Sequence, residues 1–241
     1  MKLGLFIYKF IITVLIVYTS QKLIANNESK LVDVNVQFDF RTMHIWRGTV
    51  TSYTPTFEPT FEISKENTTS GIWFAQSIDG NYTELDLYFT YNFQNFSFTI
   101  FDYYCPASIE TSHEITNYNR NSTKHTIELY LAFNGTNQFP LKILVATMIY
   151  GDDINSETNQ NYYSTYLEFG YSAQIEKSSL DFFLGLNPFK GYYGDKFGIV
   201  NAGLSASRNI RIYKSWEIPI QAALITNPSA NSLFLNFGFT L

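Results

Sequence analysis

Charged side chains in this chain recur at alternate positions within runs of apolar residues. Glu84 and Asp86 flank Leu85, and Asp33 and Asp39 occupy odd positions in a run whose even positions are all apolar. A β-strand points successive side chains to opposite faces. These carboxylates are therefore better explained as the polar face of two-faced strands than as the acid–base pair of a glycosidase.

Few other residues suit catalysis or metal binding. Cys105 is the only cysteine, which excludes an intramolecular disulfide and thiolate metal clusters, and His44, His113 and His125 are widely separated. His125 begins a predicted strand and is expected to point outward with Ile127. No nucleophile elbow or zinc-protease motif occurs. We predict no catalytic residue, cofactor or metal site, and no enzyme activity.

The composition favours a surface rich in aromatic rings. Aromatic residues make up 18% of the 241 residues and charged residues only 15%, whereas soluble domains carry about 25% charged residues. The net charge of −5 argues against a nucleic-acid partner, which would need a basic surface.

Residues 1–25 have the pattern of a signal peptide. Lys2 and Lys9 supply its positive region, an apolar run extends from Phe10 to Tyr18, and Ala25 ends the predicted cleavage site. Residues 26–241 are then the mature domain, without a later apolar stretch long enough for a transmembrane helix.

The mature chain contains about twelve runs with a period of two, and no competing helical period. They lie at 32–41, 57–64, 72–78, 84–93, 96–100, 126–133, 141–149, 163–171, 180–186, 200–206, 216–224 and 233–241. Residues 42–54 are predicted to be a loop, and residues 208–214 a basic turn.

Twelve half-apolar strands can bury their apolar faces inside a β-sandwich or expose them to lipid as a closed barrel. Connections of alternating length and few lysines on the polar faces favour the barrel. Aromatic residues near strand ends match interfacial girdles; they are Trp46, Tyr103, Tyr104, Tyr162, Tyr163, Tyr192 and Trp216. The predicted fold is an all-β antiparallel transmembrane barrel of about twelve strands.

In this barrel the polar faces line the lumen, and the first strand rises from the periplasm to emerge near Trp46. The candidate pore-lining residues are Asp33, Asp39, Arg41, Glu58, Glu62, Glu84, Asp86, Glu128, Lys142, Glu168, Asp181 and Glu217. Acids outnumber bases, so a water-filled lumen would prefer cations.

Several short elements occur in a fixed order along the mature chain. They are Ile45-Trp46-Arg47-Gly48, Tyr150-Gly151-Asp152-Asp153, the stretch from Ser164 to Tyr171, the stretch from Val200 to Ser207, and Asn227-Pro228 followed by residues 234–238. Together they resemble bacterial outer-membrane porins of the TorF type. The chain departs from that pattern at Thr42-Met43-His44, where such proteins have Ser-Arg-aromatic. The resemblance implies an outer-membrane barrel and adds no substrate.

Three functional hypotheses follow. The first is a porin-like channel in the cell outer membrane, with outer-membrane lipid, small solutes and ions as its partners. The second is a non-conducting barrel whose loops, at Tyr103–Lys124 and Gly151–Gln160, bind a partner. The third is a secreted soluble β-sandwich.

Overall fold

A computed structural model describes residues 32–106, 114–214 and 216–241. The predicted signal peptide and His113 lie outside the described residues. Among the described residues, no helix is long and apolar enough to span a membrane.

Twelve strands form the wall of one closed sheet. In chain order they are β1 (Asp33–Arg41), β4 (Thr56–Lys65), β5 (Thr68–Ser77), β6 (Thr83–Phe93), β7 (Phe96–Tyr104), β8 (His125–Phe133), β9 (Leu141–Gly151), β12 (Thr165–Ile175), β13 (Ser178–Asn187), β14 (Gly198–Tyr213), β15 (Trp216–Asn227) and β16 (Ser232–Thr240). Each coincides with one of the predicted runs. The expected basic turn at 208–214 is wrong, because β14 continues to Tyr213.

Each strand of the barrel pairs with its neighbours along the chain, and β1 closes the ring between β16 and β4. Arg41 pairs with Gly238 on one side of this seam. On the other side, the Asn35 Nδ2 atom donates to Glu62 Oε2 at 3.0 Å and the rings of Phe40 and Phe57 lie 5.0 Å apart. The sandwich hypothesis is therefore wrong, since the sheet closes on itself.

The two ends of the barrel differ in the length of their connections. At one end, here called the turn end, the connections are 66–67, 94–95, 134–140, 176–177 and 214–215. The loop end carries residues 42–55, 78–82, 105–124, 152–164, 188–197 and 228–231. Apart from 134–140, which is longer than 78–82 and 228–231, the lengths show the asymmetry of outer-membrane barrels, with short periplasmic turns and longer extracellular loops.

The outer face of the wall is an exposed apolar belt. Phe89 is 46% exposed and its neighbour Ile100 43%, and the belt continues through Leu129 and Val145. The opposite row is polar, and near the loop end it is buried. The strands thus present their apolar row outward and their charged row inward.

Two small hairpins lie within the loop-end connections. They are β2 (His44–Trp46) with β3 (Thr49–Ser52), and β10 (Ile154–Asn155) with β11 (Gln160–Asn161). The β2–β3 hairpin corrects the prediction of an irregular loop that emerges from the barrel, because its tip is buried inside the wall.

A β-bulge causes one further departure from the predicted faces. Gly185 pairs with Asn201, but Leu186 pairs with Ile199, so Val200 is an extra residue on β14. Val200 was expected on the outer apolar row with Ala202. It instead belongs to the buried inner cluster and is 1% exposed.

Candidate functional site

The tip of the β2–β3 hairpin is a two-residue turn. Trp46 pairs with Thr49, and between them Arg47 and Gly48 have φ values of 50° and 79°. Positive φ at both central residues defines a type I′ turn, which favours glycine. A Cβ atom on Gly48 would also lie 2.0 Å from the carbonyl oxygen of Val200. Both the turn and its close approach to β14 therefore require glycine at this position.

Arg47 is held by a buried carboxylate from the wall. Its Nη1 atom donates to Glu128 Oε1 at 2.7 Å and its Nη2 atom to Oε2 at 3.0 Å. The Arg47 side chain is 6% exposed and that of Glu128 is fully buried. This is the bidentate geometry in which an arginine–carboxylate pair is strongest.

Aromatic side chains enclose this ion pair. The guanidinium carbon lies 4.6 Å from the ring centres of Trp46 and Tyr166, and 5.0 Å and 5.5 Å from those of Tyr130 and Tyr193. These distances are within the range of cation–π attraction. The hydroxyls of Tyr130 and Tyr193 also accept hydrogen bonds from Arg47.

The hairpin tip contacts strands from different sides of the wall. Asn227 Nδ2 on β15 donates to Gly48 O at 3.3 Å, while the Trp46 ring lies 5.7 Å from that of Tyr103 on β7. A buried cluster of Ala146, Met148, Tyr166, Tyr193 and Val200 packs against the same tip. Side chains packed around the hairpin tip therefore narrow the lumen near the loop end.

Two aromatic residues expected in an interfacial girdle, Trp46 and Tyr103, pack inside the barrel instead, whereas Tyr192 is 50% exposed. Trp46 packs edge-on against both Tyr103 and Tyr192, at 5.7 Å and 5.5 Å. Trp216, by contrast, is 55% exposed on the outer row of β15. The aromatic content that suggested girdles therefore serves partly to fill the interior.

The candidate pore-lining residues near the loop end take part in polar networks. Glu58 accepts a hydrogen bond from Thr56 Oγ1 at 2.6 Å, and its Oε1 atom lies 2.8 Å from His44 Nδ1. Glu84 accepts from the Tyr82 hydroxyl and from Cys105 Sγ. The remaining members here are Asp86, which is 6% exposed, and Glu168, which is contacted by Tyr166 and Asn201.

Along the seam, Asp39 and Arg41 neutralise each other. The Arg41 Nη2 atom lies 3.0 Å from Asp39 Oδ2. Arg41 also donates to Gln221, and Asp39 accepts from Thr240. Asp33, also a candidate, is the first residue of β1.

The remaining candidates lie toward the turn end, and each has a polar neighbour. Glu62 accepts from the Tyr88 hydroxyl at 2.7 Å. The Lys142 Nζ atom donates to Ser172 at 2.8 Å, and Ser172 donates onward to Asp181. Glu217 pairs with Arg211 at 3.1 Å. The candidate pore-lining residues thus belong to several separate polar groups. Among these candidates, Glu128 is the one that contacts the hairpin tip.

Sequence reasoning missed the residue at the centre of this site. Arg47 lies in a short connection without alternation, and its partner Glu128 is 81 residues away. One signal was present, because Tyr88, Tyr130 and Tyr166 occupy polar rows where a wide channel would have small side chains. Large rings on the inner row indicate a filled interior.

The described histidines each pair with one carboxylate. His125 lies on the outer row but is only 2% exposed, so the expectation that it faces lipid is wrong; its Nδ1 atom is 2.8 Å from Asp102 Oδ1. The 105–124 connection covers it, with Tyr118 stacked on its ring at 4.0 Å. His44 pairs with Glu58, as described above. Among the described residues, no group of three metal-ligating side chains comes together.

Asp152 and Asp153, at the start of the 152–164 connection, each contact a neighbouring side chain. Asp153 accepts from the backbone nitrogen of Ser164 at 2.9 Å and from its hydroxyl at 2.5 Å, and burial raises the pKa of the Asp153 carboxyl. Asp152 lies 3.1 Å from Lys124. Asp153 therefore ties together the two ends of its own connection, whereas Asp152 joins that connection to residue 124 of the neighbouring one.

Comparison with known proteins returned a similarity of overall fold. No protein-family model matches the chain, and no curated protein matches it. Among solved structures, an outer membrane channel from Pseudomonas putida F1 is similar, at 13% sequence identity and a TM-score of 0.34. The alignment covers 87% of this chain and 93% of that one.

Proposed function

We propose that this protein is an outer-membrane β-barrel channel for ions or small solutes, with the β2–β3 hairpin as its constriction. The observation that carries the proposal is a closed twelve-stranded sheet with an apolar outer row and a charged inner row. A lipid bilayer covers such a belt without water contact, and a closed barrel satisfies its own backbone hydrogen-bonding groups inside the bilayer.

The exposed belt is too extensive for a soluble monomer. Large apolar side chains more than a third exposed occur on the outer row of every wall strand from β4 to β16, among them Phe61, Ile72, Phe98, Leu131, Phe182 and Leu235. Soluble proteins rarely expose apolar patches larger than a few hundred Å². An outer-membrane location is the simplest environment for this surface.

Charge on the inner row supports a preference for cations. Three of its carboxylates have arginine partners, in the pairs Asp39–Arg41, Glu128–Arg47 and Glu217–Arg211, and Glu58 pairs with His44. Glu62 and Glu84 are hydrogen-bonded to neutral groups only. The fixed charge that remains is negative, which raises the local concentration of cations. Membership of the TorF-type porins, suggested by the sequence elements, agrees with this proposal.

Single-channel recording of the refolded protein in planar bilayers tests the proposal. We expect small, cation-selective currents from the wild type. The double variant Arg47→Ala/Glu128→Ala should give larger unit conductance, because it removes the contact that holds the hairpin. Arg120→Ala, an exposed change in the 105–124 connection, is the control. Absence of current from all three proteins, over a range of voltages and salts, would overturn the proposal.

A second candidate function is a non-conducting barrel that binds a partner through its loops. The buried Arg47–Glu128 pair favours it, because this pair fills the passage. Two connections also join into one surface, since Arg120 donates to Asn159 O at 3.1 Å and Lys124 pairs with Asp152. Deletion of residues 155–160 separates the candidates: a channel keeps its conductance, whereas a loop-dependent binder loses its partner.

A further inference from the structure

A small cavity lies at the loop end, beside the hairpin. Its volume is about 160 Å³, which is room for roughly five water molecules. Four aromatic rings, two carboxylates and the Lys124 ammonium are among the groups that line it; the residues used here are Trp46, Tyr82, Tyr103, Tyr192, Glu84 and Asp152. Five of the loop-end connections contribute residues to its lining. The cavity therefore lies where a solute that enters from the loop end would arrive.

We propose that this cavity binds a compact alkylammonium cation. Aromatic faces attract cations that have lost part of their hydration, and quaternary ammonium groups are commonly bound by cages of such rings. A carboxylate beside the rings adds direct charge attraction. As a statement about the transported solute, this inference rests on the proposed channel function; as a binding site, it can be tested without any current.

The cavity carries one carboxylate, that of Glu84, without an ion-pair partner among the described residues. Glu84 accepts hydrogen bonds from the Tyr82 hydroxyl and from Cys105 Sγ, both neutral donors. Asp152 is already paired with Lys124 at 3.1 Å. Lys124 is the cation that lines the cavity, and Asp152 is its partner; Arg47, next to the lining residue Trp46, is matched by Glu128. Glu84 is therefore the group expected to hold the ligand.

The next inner residue along β6 strengthens the negative character of this region. Asp86 is 6% exposed, and its Oδ1 atom has no hydrogen-bond partner among the described residues. Its position two residues after Glu84 places both carboxylates on the inner face. An ammonium ion bound beside Glu84 would reduce the repulsion between them.

Size sets a limit on the ligand. Tetramethylammonium, a compact ion, matches the space of roughly five waters. A bulky or anionic solute would either exceed the cavity or be repelled by Glu84. The inference therefore predicts selectivity by both size and charge, which distinguishes a site from a general negative potential.

The chain supplies its own reporter for the test. Cys105 is the only cysteine, is exposed, and lines the cavity. Methanethiosulfonate reagents convert its thiolate to a mixed disulfide and release methanesulfinate. A trimethylammonium-bearing reagent and a sulfonate-bearing reagent differ in charge but react with the same thiolate. The ratio of their rates, divided by the same ratio for free 2-mercaptoethanol, cancels both the reactivity of the thiol and the intrinsic difference between the reagents.

We expect this normalised ratio to favour the cationic reagent in the refolded wild type by roughly tenfold or more, a factor typical of one good cation–π contact. Tetramethylammonium chloride should slow both reagents relative to sodium chloride at equal ionic strength. Glu84→Gln should lower the rate ratio and weaken the protection. Glu157→Gln, the same change in an exposed loop residue outside the cavity, should leave both unchanged.

The result that overturns the site is equal protection by tetramethylammonium and sodium, measured on the wild type, which needs no variant to fold. A rate ratio lowered as much by Glu157→Gln as by Glu84→Gln would also overturn it, because it would show only a general surface potential. The two proposals fail separately: protection without conductance refutes the channel, and conductance without protection refutes the site.

Discussion

At the scale of single residues, the Arg47–Glu128 pair holds the hairpin inside the wall. Removing one partner leaves the other charge buried, and such changes destabilise proteins by about 3–5 kcal/mol. We expect Arg47→Met and Glu128→Gln each to lower the free energy of unfolding by this order, measured by urea titration in detergent. The double variant should lose less than the sum of the single losses, because neither charge then remains unpaired. Additive losses would show that the two side chains do not act together.

Gly48 permits a matched comparison with another glycine. Gly48 and Gly80 have similar φ values, 79° and 74°, but a Cβ atom would meet Val200 O at position 48 and nothing within 4 Å at position 80. Both alanine variants incur the cost of a left-handed conformation, about 1 kcal/mol. Only Gly48→Ala also forces the hairpin away from β14, so we expect it to lose clearly more unfolding free energy. Equal losses in urea titrations of the two variants would contradict the tight packing of the tip.

At the scale of the elements, the short connection between β5 and β6 depends on one carboxylate. Asp79 accepts hydrogen bonds from the Ser77 hydroxyl at 2.6 Å and from the backbone and side-chain nitrogens of Asn81. These bonds, with that from Ser77 as the largest cause, lower its pKa to about 2. A lowered pKa means that the ionised form stabilises the fold above the unfolded-state pKa near 3.8, and that this contribution is lost as the pH falls through about 2.

An NMR titration measures the pKa of Asp79 directly. In the folded wild type, we expect the carboxyl of Asp79 to titrate near pH 2 by carbon-13 NMR. Ser77→Ala should move its pKa upward toward the ordinary aspartate value, while leaving the rest of the barrel unchanged. An unaltered pKa in that variant would show that the hydroxyl is not the principal cause.

Sequence periodicity was sufficient for the wall elements and insufficient for the hairpin. Each run with a period of two lies on one wall strand, because alternation reflects the local choice between lipid and lumen. The β2–β3 hairpin has no such pattern, and its position is set by Glu128, Val200 and Asn227, which are distant in sequence. Contacts of this kind are decided by tertiary packing. The inner-row carboxylates could therefore be named from the sequence, but not the arginine that joins one of them to the interior.

At the scale of the whole molecule, a charged side chain should cost more stability on the outer face of the barrel than on its inner face. Leu129 lies on the outer row in the middle of β8 and is 45% exposed. An arginine at the lipid-facing midplane of a barrel costs about 2–4 kcal/mol. Leu129→Arg should therefore destabilise the barrel by this amount when it is refolded into lipid vesicles. Thr99, on the inner row of the adjacent strand β7, hydrogen-bonds to Thr90 at 2.9 Å.

The matched variant Thr99→Arg places the same charge on the inner face. It should be tolerated better than Leu129→Arg, because the turn-end half of the lumen already accommodates the charged residues Glu62, Lys142 and Asp181. In vesicles, the difference between the two variants isolates the cost of charge in lipid. If Thr99→Arg were less stable than Leu129→Arg, the apolar belt would not face the bilayer. That result would contradict the proposed outer-membrane location.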